Sequence, residues 1–419
     1  MSRPPVVTSF WDAAEQPPGF EAPMVKFREM IRSSQQPASC SKVCRVPHKL
    51  YVGGTASNLR RLASVVLEAV LLGCALVGRY PRPQWLSITT SAAMRQRCNA
   101  SSAYSLECYF LPVSTCVDDG KYYKVIHHNY DPVSGLLDEA GSRIGLRSEL
   151  LIMGAVQAWI MRPQPDLADA VRHYAARLGL DAPSLPRFRR VGMHIRKGDK
   201  HSLYPKHIGR NTSSRISVRS FSIWGRRIAS DLGAERVLFQ TDDRTTTAVL
   251  GENASFFQLA PAPAECMPSY NAGILGKQYV RAAMALSKLQ SAQFAASESG
   301  RDLQTTCGPD HFRDDGVQLF AGMLLLAQLG SFIGTQISNM DSTIVELMAT
   351  QRHPPVYFDV LNDVHRSWIS DEKVWYGGIH NHVRSLGMER LVNDDGTWTH
   401  GVWTDGSVYK PFAHAYKEK

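Results

Sequence analysis

Past residue 186 the sequence alternates short apolar runs with stretches of helical periodicity, and that order admits few folds. Strands are expected at 190–196, 236–240, 331–335 and 356–358, with helices at 217–232, 277–289, 316–329 and 341–350. Short strands separated by helices build a parallel sheet covered on both faces. The segment Val191-Gly-Met-His-Ile-Arg-Lys-Gly-Asp-Lys200 stands out within it, because an apolar run there ends in a cluster of charge. Open α/β sheets bind ligands beyond the carboxyl ends of their strands, so Arg196 and Lys197 fall where an anionic ligand would sit. The plain alternative is a strand whose terminal charges are simply solvated.

At 419 residues the chain exceeds the size at which single cores stop growing, so two domains are expected. Residues 1–39 read as a polar, proline-containing leader, 40–185 as an N-terminal α/β domain and 186–360 as a Rossmann-like nucleotide-binding domain. Residues 361–419 read as a C-terminal segment packing back on the first domain. Asp181 to Pro186 supplies a joint. Within the first domain Lys49–Val52 suggests a strand, Gly53-Gly54 and the following residues a glycine turn, and Leu59–Leu72 a helix; Gly54 suits a backbone approach to phosphate, although an ordinary strand-to-helix turn has the same pattern. Trp85–Thr90 suggests another strand, Asp118–Arg147 reads as polar loop, and Asp166–Leu178 as a helix.

A formal net charge of +9 favours acidic ligands, sugar nucleotides and nucleic acids alike. Nucleic acid is disfavoured, since there is no zinc-finger spacing, RNA-binding aromatic signature or long basic run. Six of the eight cysteines lie between Cys40 and Cys116 without a Cys-x-x-Cys pair, which suggests disulfides and an oxidising compartment. Asn-x-Ser/Thr sequons at Asn99, Asn211 and Asn253 agree with that setting. No signal-peptide core is visible near the start, and the apolar run Leu62–Val77 is too short to span a bilayer, so no membrane span is expected.

Three strand ends carry polar clusters. The first offers His194, Arg196, Asp199 and Lys200; the second Asp242 and Asp243, suited to a ribose or base or simply to capping the next helix; the third Thr335, Ser338 and Asn339 just before a helix. A helix start presents unpaired N–H groups and the positive end of the helix dipole, which favours phosphate, although Ser338 or Asn339 equally suits plain N-capping. No two aspartates are separated by a single residue, so no Asp-x-Asp metal clamp exists and no metal or other cofactor is expected. Charge compensation then falls to side chains. A cation near 4 Å from a phosphate oxygen contributes about 4 kcal/mol at an effective dielectric of 20. Arg196 suits the task because its fork holds two oxygens at once.

The segment His194-Ile-Arg-Lys-Gly-Asp-Lys200 resembles the His-Val-Arg-Arg-Thr-Asp-Lys motif of eukaryotic core α1,6-fucosyltransferases. Further similar pieces follow in the family's order: Cys40-Ser-Lys, Pro112-Val-Ser-Thr-Cys116, Ile160-Met-Arg-Pro-Gln-Pro165, Thr241-Asp-Asp243, Gly334-Thr with Ser338 and Glu346-Leu-Met348, and Asp371-Glu372 with Trp375-Tyr-Gly-Gly378. The resemblance, covering about Cys40 to His382, implies a GT-B-like two-domain glycosyltransferase. It implies inverting, metal-independent transfer of fucose from GDP-fucose to the innermost GlcNAc of an N-glycan, on an N-glycan or glycoprotein acceptor in the Golgi or secretory lumen. Arg196 would bind the β-phosphate beside His194, Ser338 and Asn339, Lys200 would join the catalytic relay, and Asp371 and Glu372 would face the acceptor. Cys40–Cys116 matches a family disulfide; Cys44–Cys74 and Cys98–Cys108 are expected from proximity.

The chain departs from the family twice. The family's catalytic glutamate falls at Tyr204, and its guanine-directed aspartate falls near Phe320 or Gly322. Candidates for the base are therefore Asp199 first and His201 second, ahead of Tyr204 and His207. Two other readings stay open: a transferase using another nucleotide sugar or a protein hydroxyl, and a silent glycan-binding protein on the same scaffold.

Overall fold

Two parallel sheets organise the chain in the computed structural model, which describes residues 6–12, 20–46, 55–78, 106–126, 133–146, 148–180, 190–195, 218–231, 236–241, 314–334 and 338–351, a few single positions between them, and strands at 256–258, 356–359, 398–400, 403–404, 407–408 and 412–414. The strands expected at 49–52 and 85–90 and the helix expected at 277–289 lie outside the described residues.

The first helix, α1 (Glu21–Gln35), corrects the reading of residues 1–39 as a leader. Met24, Phe27 and Ile31 share one face of it and are completely buried. Phe10 and Trp11 are buried as well, with Trp11 edge-on to Trp159 at 4.7 Å. The prolines and the polar outer face of α1 disguise a stripe of core residues.

A small sheet follows. Strand β1 (Val43–Arg45) leads into α2 (Thr55–Leu72) and β2 (Ala75–Val77), which pairs parallel to β1 with Val43 opposite Ala75. On the other side of β1 lies β3 (Lys124–Val125), also parallel. Residues 118–147, expected to be loop, thus contain β3 and a helix, α3 (Val133–Ile144). Leu137, Ala140 and Ile144 of α3 are buried while its charged residues stay outside, so the segment's polarity belongs to one face only. Disulfides Cys40–Cys116 and Cys44–Cys74 staple this sheet, as expected. Cys108 is disulfide-bonded too, and Cys98, its expected partner, lies outside the described residues.

Helix α4 (Glu149–Ile160) starts at Ser148, whose hydroxyl accepts from the Leu151 N–H at 3.3 Å, and is followed by the Arg162-Pro-Gln-Pro165 break. Proline at the start of α5 (Pro165–Arg177) costs no hydrogen bond there, and Leu167, Ala170, Val171 and Tyr174 face the core as their periodicity predicts.

The second sheet is built from β4 (Val191–Ile195), α6 (Val218–Asp231), β5 (Val237–Thr241), β6 (Phe256–Gln258), α7 (Asp315–Leu326), β7 (Ser331–Gly334), α8 (Asn339–Ala349) and β8 (Val356–Asp359). All its pairs are parallel, in the order β6-β5-β4-β7-β8. Every residue of β4 and β5 is buried, as expected for strands covered on both faces. Further along, Trp398–His400 pairs antiparallel with Phe412–His414, and Trp403–Thr404 with Ser407–Val408. The rest of residues 361–419 lies outside the described residues.

One apolar cluster joins α1 to α5 with α7 and α8, so helices on either side of residue 185 share a core. Helix α8 also meets α2 through a buried ion pair, Arg60 Nη2 to Glu346 Oε1 at 3.0 Å. Gly154 marks the crossing of α4 and α8: a Cβ there would collide with the Glu346 carbonyl oxygen. Backbone cannot yield as a flexible side chain does, so Gly154→Ala should destabilise the fold by about 3 kcal/mol, the upper end of ordinary overpacking. Urea denaturation checks this, and a loss below about 0.5 kcal/mol would mean the crossing can open freely.

Candidate functional site

The strand order locates a crevice. From β4 the chain proceeds outward through β5 to β6, then returns to the other side of β4 for β7 and moves outward again to β8. The adjacent strands β4 and β7 are therefore the point at which the winding reverses, and such switch points open a crevice at the carboxyl ends of the strands. His194 lies at the end of β4, directly before Ile195 and the sequence position of Arg196. Strand β7 ends at Gly334, and α8 opens at Asn339 behind its cap Ser338.

Ser338 has the backbone of an N-cap, and its hydroxyl accepts from the Asp341 N–H at 3.4 Å. Its carbonyl in turn accepts from the Ser342 hydroxyl at 3.3 Å, and the Asn339 carbonyl from Thr343 Oγ1 at 2.9 Å. The plain capping role is thus realised by Ser338, while Asn339 is the first helical residue. The first turn of α8 also carries Asp341, a charge that suits the positive end of a helix.

Asp341 does more than that. Its carboxylate pairs with Nδ1 of His194, 147 positions earlier, and both side chains are almost fully buried. With the carboxylate accepting, Nδ1 carries the proton, so Nε2 of a neutral ring is left as an acceptor and of a charged ring as a donor. The pair pins α8 to the end of β4. Gly334 makes room for it, because a Cβ there would stand 2.5 Å from Asp341 Oδ2.

Across β4, His194 lies opposite Gln240, and Ile195 opposite Thr241. The Gln240 side chain lies against Gly322, where a Cβ would come 2.5 Å from its Nε2. Gly322 and Phe320 are the positions near which the resemblance places the family's guanine-directed aspartate, which this chain lacks. Phe320 is instead completely buried, with ring centroids 5.0 Å from Tyr109 and 4.7 Å from Phe110. Asp314, six residues before Phe320, caps α7: its Oδ1 accepts from Gly316 N at 3.0 Å, Val317 N at 3.2 Å and the Tyr109 hydroxyl at 2.8 Å.

Of the residues expected at the site, the structure describes His194, Ser338 and Asn339, and His194 and Ser338 both meet Asp341. Arg196, Asp199, Lys200, His201, Asp242, Asp243, Thr335, Gly54, Asp371 and Glu372 lie outside the described residues. Sequence reading missed Asp341, Gln240 and Asp314. The spacing Ser338-x-x-Asp341 is a capping signature, but nothing in it points to His194.

No family model and no curated protein matches the chain. Among solved structures it is similar to NodZ alpha-1,6-fucosyltransferase co-crystallised with GDP, with a TM-score of 0.38 and 12% identity over 77% of this chain and 96% of that one. The same comparison with NodZ soaked with GDP-fucose gives a TM-score of 0.36 and 12% identity over 78% and 95%. A mutant of Arabidopsis thaliana FUT1 in complex with GDP gives 0.38 and 10% over 81% and 75%. Overlap at these identities and scores assigns no activity to this chain.

Proposed function

We propose that the chain is an inverting, metal-independent glycosyltransferase that moves fucose from GDP-fucose to the innermost GlcNAc of an N-glycan, in α1,6 linkage, within the Golgi or another secretory lumen. The observation that carries this reading is the switch point between β4 and β7, because the segment most similar to the fucosyltransferase motif begins at its floor with His194. The disulfides of the first sheet support an oxidising compartment. No described helix is long and apolar enough to cross a membrane.

In the proposed reaction the acceptor hydroxyl oxygen attacks the anomeric carbon of fucose. The bond from that carbon to the β-phosphate oxygen breaks, and GDP leaves with the electron pair. Arg196 neutralises the charge that develops on the diphosphate, and a base, Asp199 ahead of His201, takes the hydroxyl proton. His194, held by Asp341, sets the floor beneath the phosphates. Because side chains carry the compensation, activity is expected to survive EDTA; loss on chelation that Mn²⁺ or Mg²⁺ restores would overturn this division of labour.

A panel of nucleoside diphosphates measured by calorimetry tests the donor assignment. GDP should bind in preference to UDP and CDP, and preference for either of those would remove GDP-fucose as donor. A silent binder, the reading that Tyr204 in the glutamate's place keeps in view, would retain GDP-fucose without releasing GDP.

A further inference from the structure

A cavity of about 960 Å³ opens against the first sheet, lined by Arg45 of β1, Gly78 just past β2, and Asp118 and Tyr122 ahead of β3. None of the residues assigned to the donor crevice lines it. Its size lies at the upper end of small-molecule sites.

One wall is a connected polar face. The Arg45 guanidinium lies over the Tyr122 ring, 4.8 Å from its centroid, with Nε 3.7 Å from the Asp118 carboxylate. The Tyr122 hydroxyl donates to the same carboxylate, which pushes the phenol's pKa up and keeps its proton in place. Arg162 lines the cavity too, fixed by donation from Nε to the Trp159 carbonyl at 2.8 Å and from Nη2 to the Pro112 carbonyl at 2.6 Å. Glu107 lines it as well, its pKa raised from the ordinary value by burial.

Two guanidinium groups and two carboxyls line this space, so it has no net preference for an anion. Fixed donors and acceptors around one space suit vicinal hydroxyls. The exposed side chains of Val117 and Leu111 and the Tyr122 ring supply apolar surface for the C–H faces of a pyranose. A phosphate would gain from the arginines and lose to the carboxylates, whereas an uncharged polyol meets both.

We infer that this cleft binds a neutral saccharide, and that in the complete reaction it holds the acceptor glycan by residues of the first sheet. The acceptor role rests on the proposed function; the binding of a saccharide does not.

The experiment titrates the intact chain with N,N′-diacetylchitobiose, without donor, and follows binding by calorimetry, with inorganic phosphate as the anionic probe. Asp118→Ala and Tyr122→Phe act on the exposed wall and are each checked for parental melting. Loss of a hydrogen bond to a charged partner should weaken saccharide binding about tenfold or more in Asp118→Ala, with GDP binding unchanged in both variants. Parental saccharide affinity in both variants, absence of saturable binding, or tighter binding of phosphate than of the disaccharide would each overturn the inference. If the saccharide binds through Asp118 while GDP-fucose is never turned over, the cleft stands and the transferase reading falls. If transfer proceeds and both variants keep the parental acceptor KM, the transferase stands and the cleft falls.

Discussion

Replacing Arg196 with alanine is expected to lower kcat for fucose transfer by on the order of 10²-fold or more, with the fold intact. The charge on the departing diphosphate grows as the glycosidic bond breaks, and the sequence contains no Asp-x-Asp pair to place a metal there. The cation next in line directly follows Ile195, at the end of a strand buried on both faces and held to α8 by the His194–Asp341 pair. Electrostatic stabilisation of the departing diphosphate requires a cation that is preorganised, and the sequence offers Arg196 for that role. Arg196→Lys should fall between the parent and alanine, since it keeps the charge and loses the two-oxygen fork. Loss of the base has a different signature: Asp199→Asn or His201→Ala should lower kcat by about 10² to 10⁴-fold with GDP affinity preserved. Near-parental kcat in Arg196→Ala would remove the proposed phosphate site.

Arg60→Ala should destabilise the folded chain by about 3–5 kcal/mol, because it leaves the Glu346 carboxylate buried without its counter-charge. Burial raises the pKa of Glu346 above its ordinary 4.5, and the charge of Arg60 opposes that rise. The folded state therefore holds the Glu346 proton more tightly than the unfolded chain does. Stability from this group is fully present below the unfolded value and is lost as pH rises through the higher folded value. Without Arg60 the folded pKa climbs further, so the deficit of the variant should be largest at about pH 8 and shrink toward about pH 5. Adding Glu346→Gln to Arg60→Ala should recover much of the loss. Denaturant midpoints at the two pH values read this directly, and a deficit that does not change with pH would mean the pair is not a buried charge pair in solution. The pair matters to the crevice because α8, which it registers against α2, brings Ser338 and Asp341 to the end of β4.

The second sheet was legible because its strands are short, mostly apolar runs set between helical periodicities: β4, β5, β7 and β8 fall within a residue or two of their expected bounds. The periodicity of α5 and the proline break before it were equally plain. Helix α1 was hidden by composition, since its charged and polar residues outnumber the stripe of Met24, Phe27 and Ile31. Strand β3 is two residues long and α3 shows its charges to solvent, so both vanished into an apparent loop. At the site, His194 and Ser338 could be placed because strand ends and helix caps are local features. The His194–Asp341 contact is not local, and no pattern within either segment requires it. Phe320 fits the departure noted in the sequence, since where the family carries its guanine-directed aspartate this chain has a core residue packed against Tyr109 and Phe110.

Incubation of the chain with GDP-fucose and a glycopeptide bearing an N-glycan, followed by GDP quantification and mass spectrometry of the peptide, addresses the central claim. The expected result is GDP released in step with one fucose appearing on the innermost GlcNAc, in the presence of EDTA. GDP-fucose recovered unchanged, or consumption of a different sugar nucleotide in its place, would contradict it.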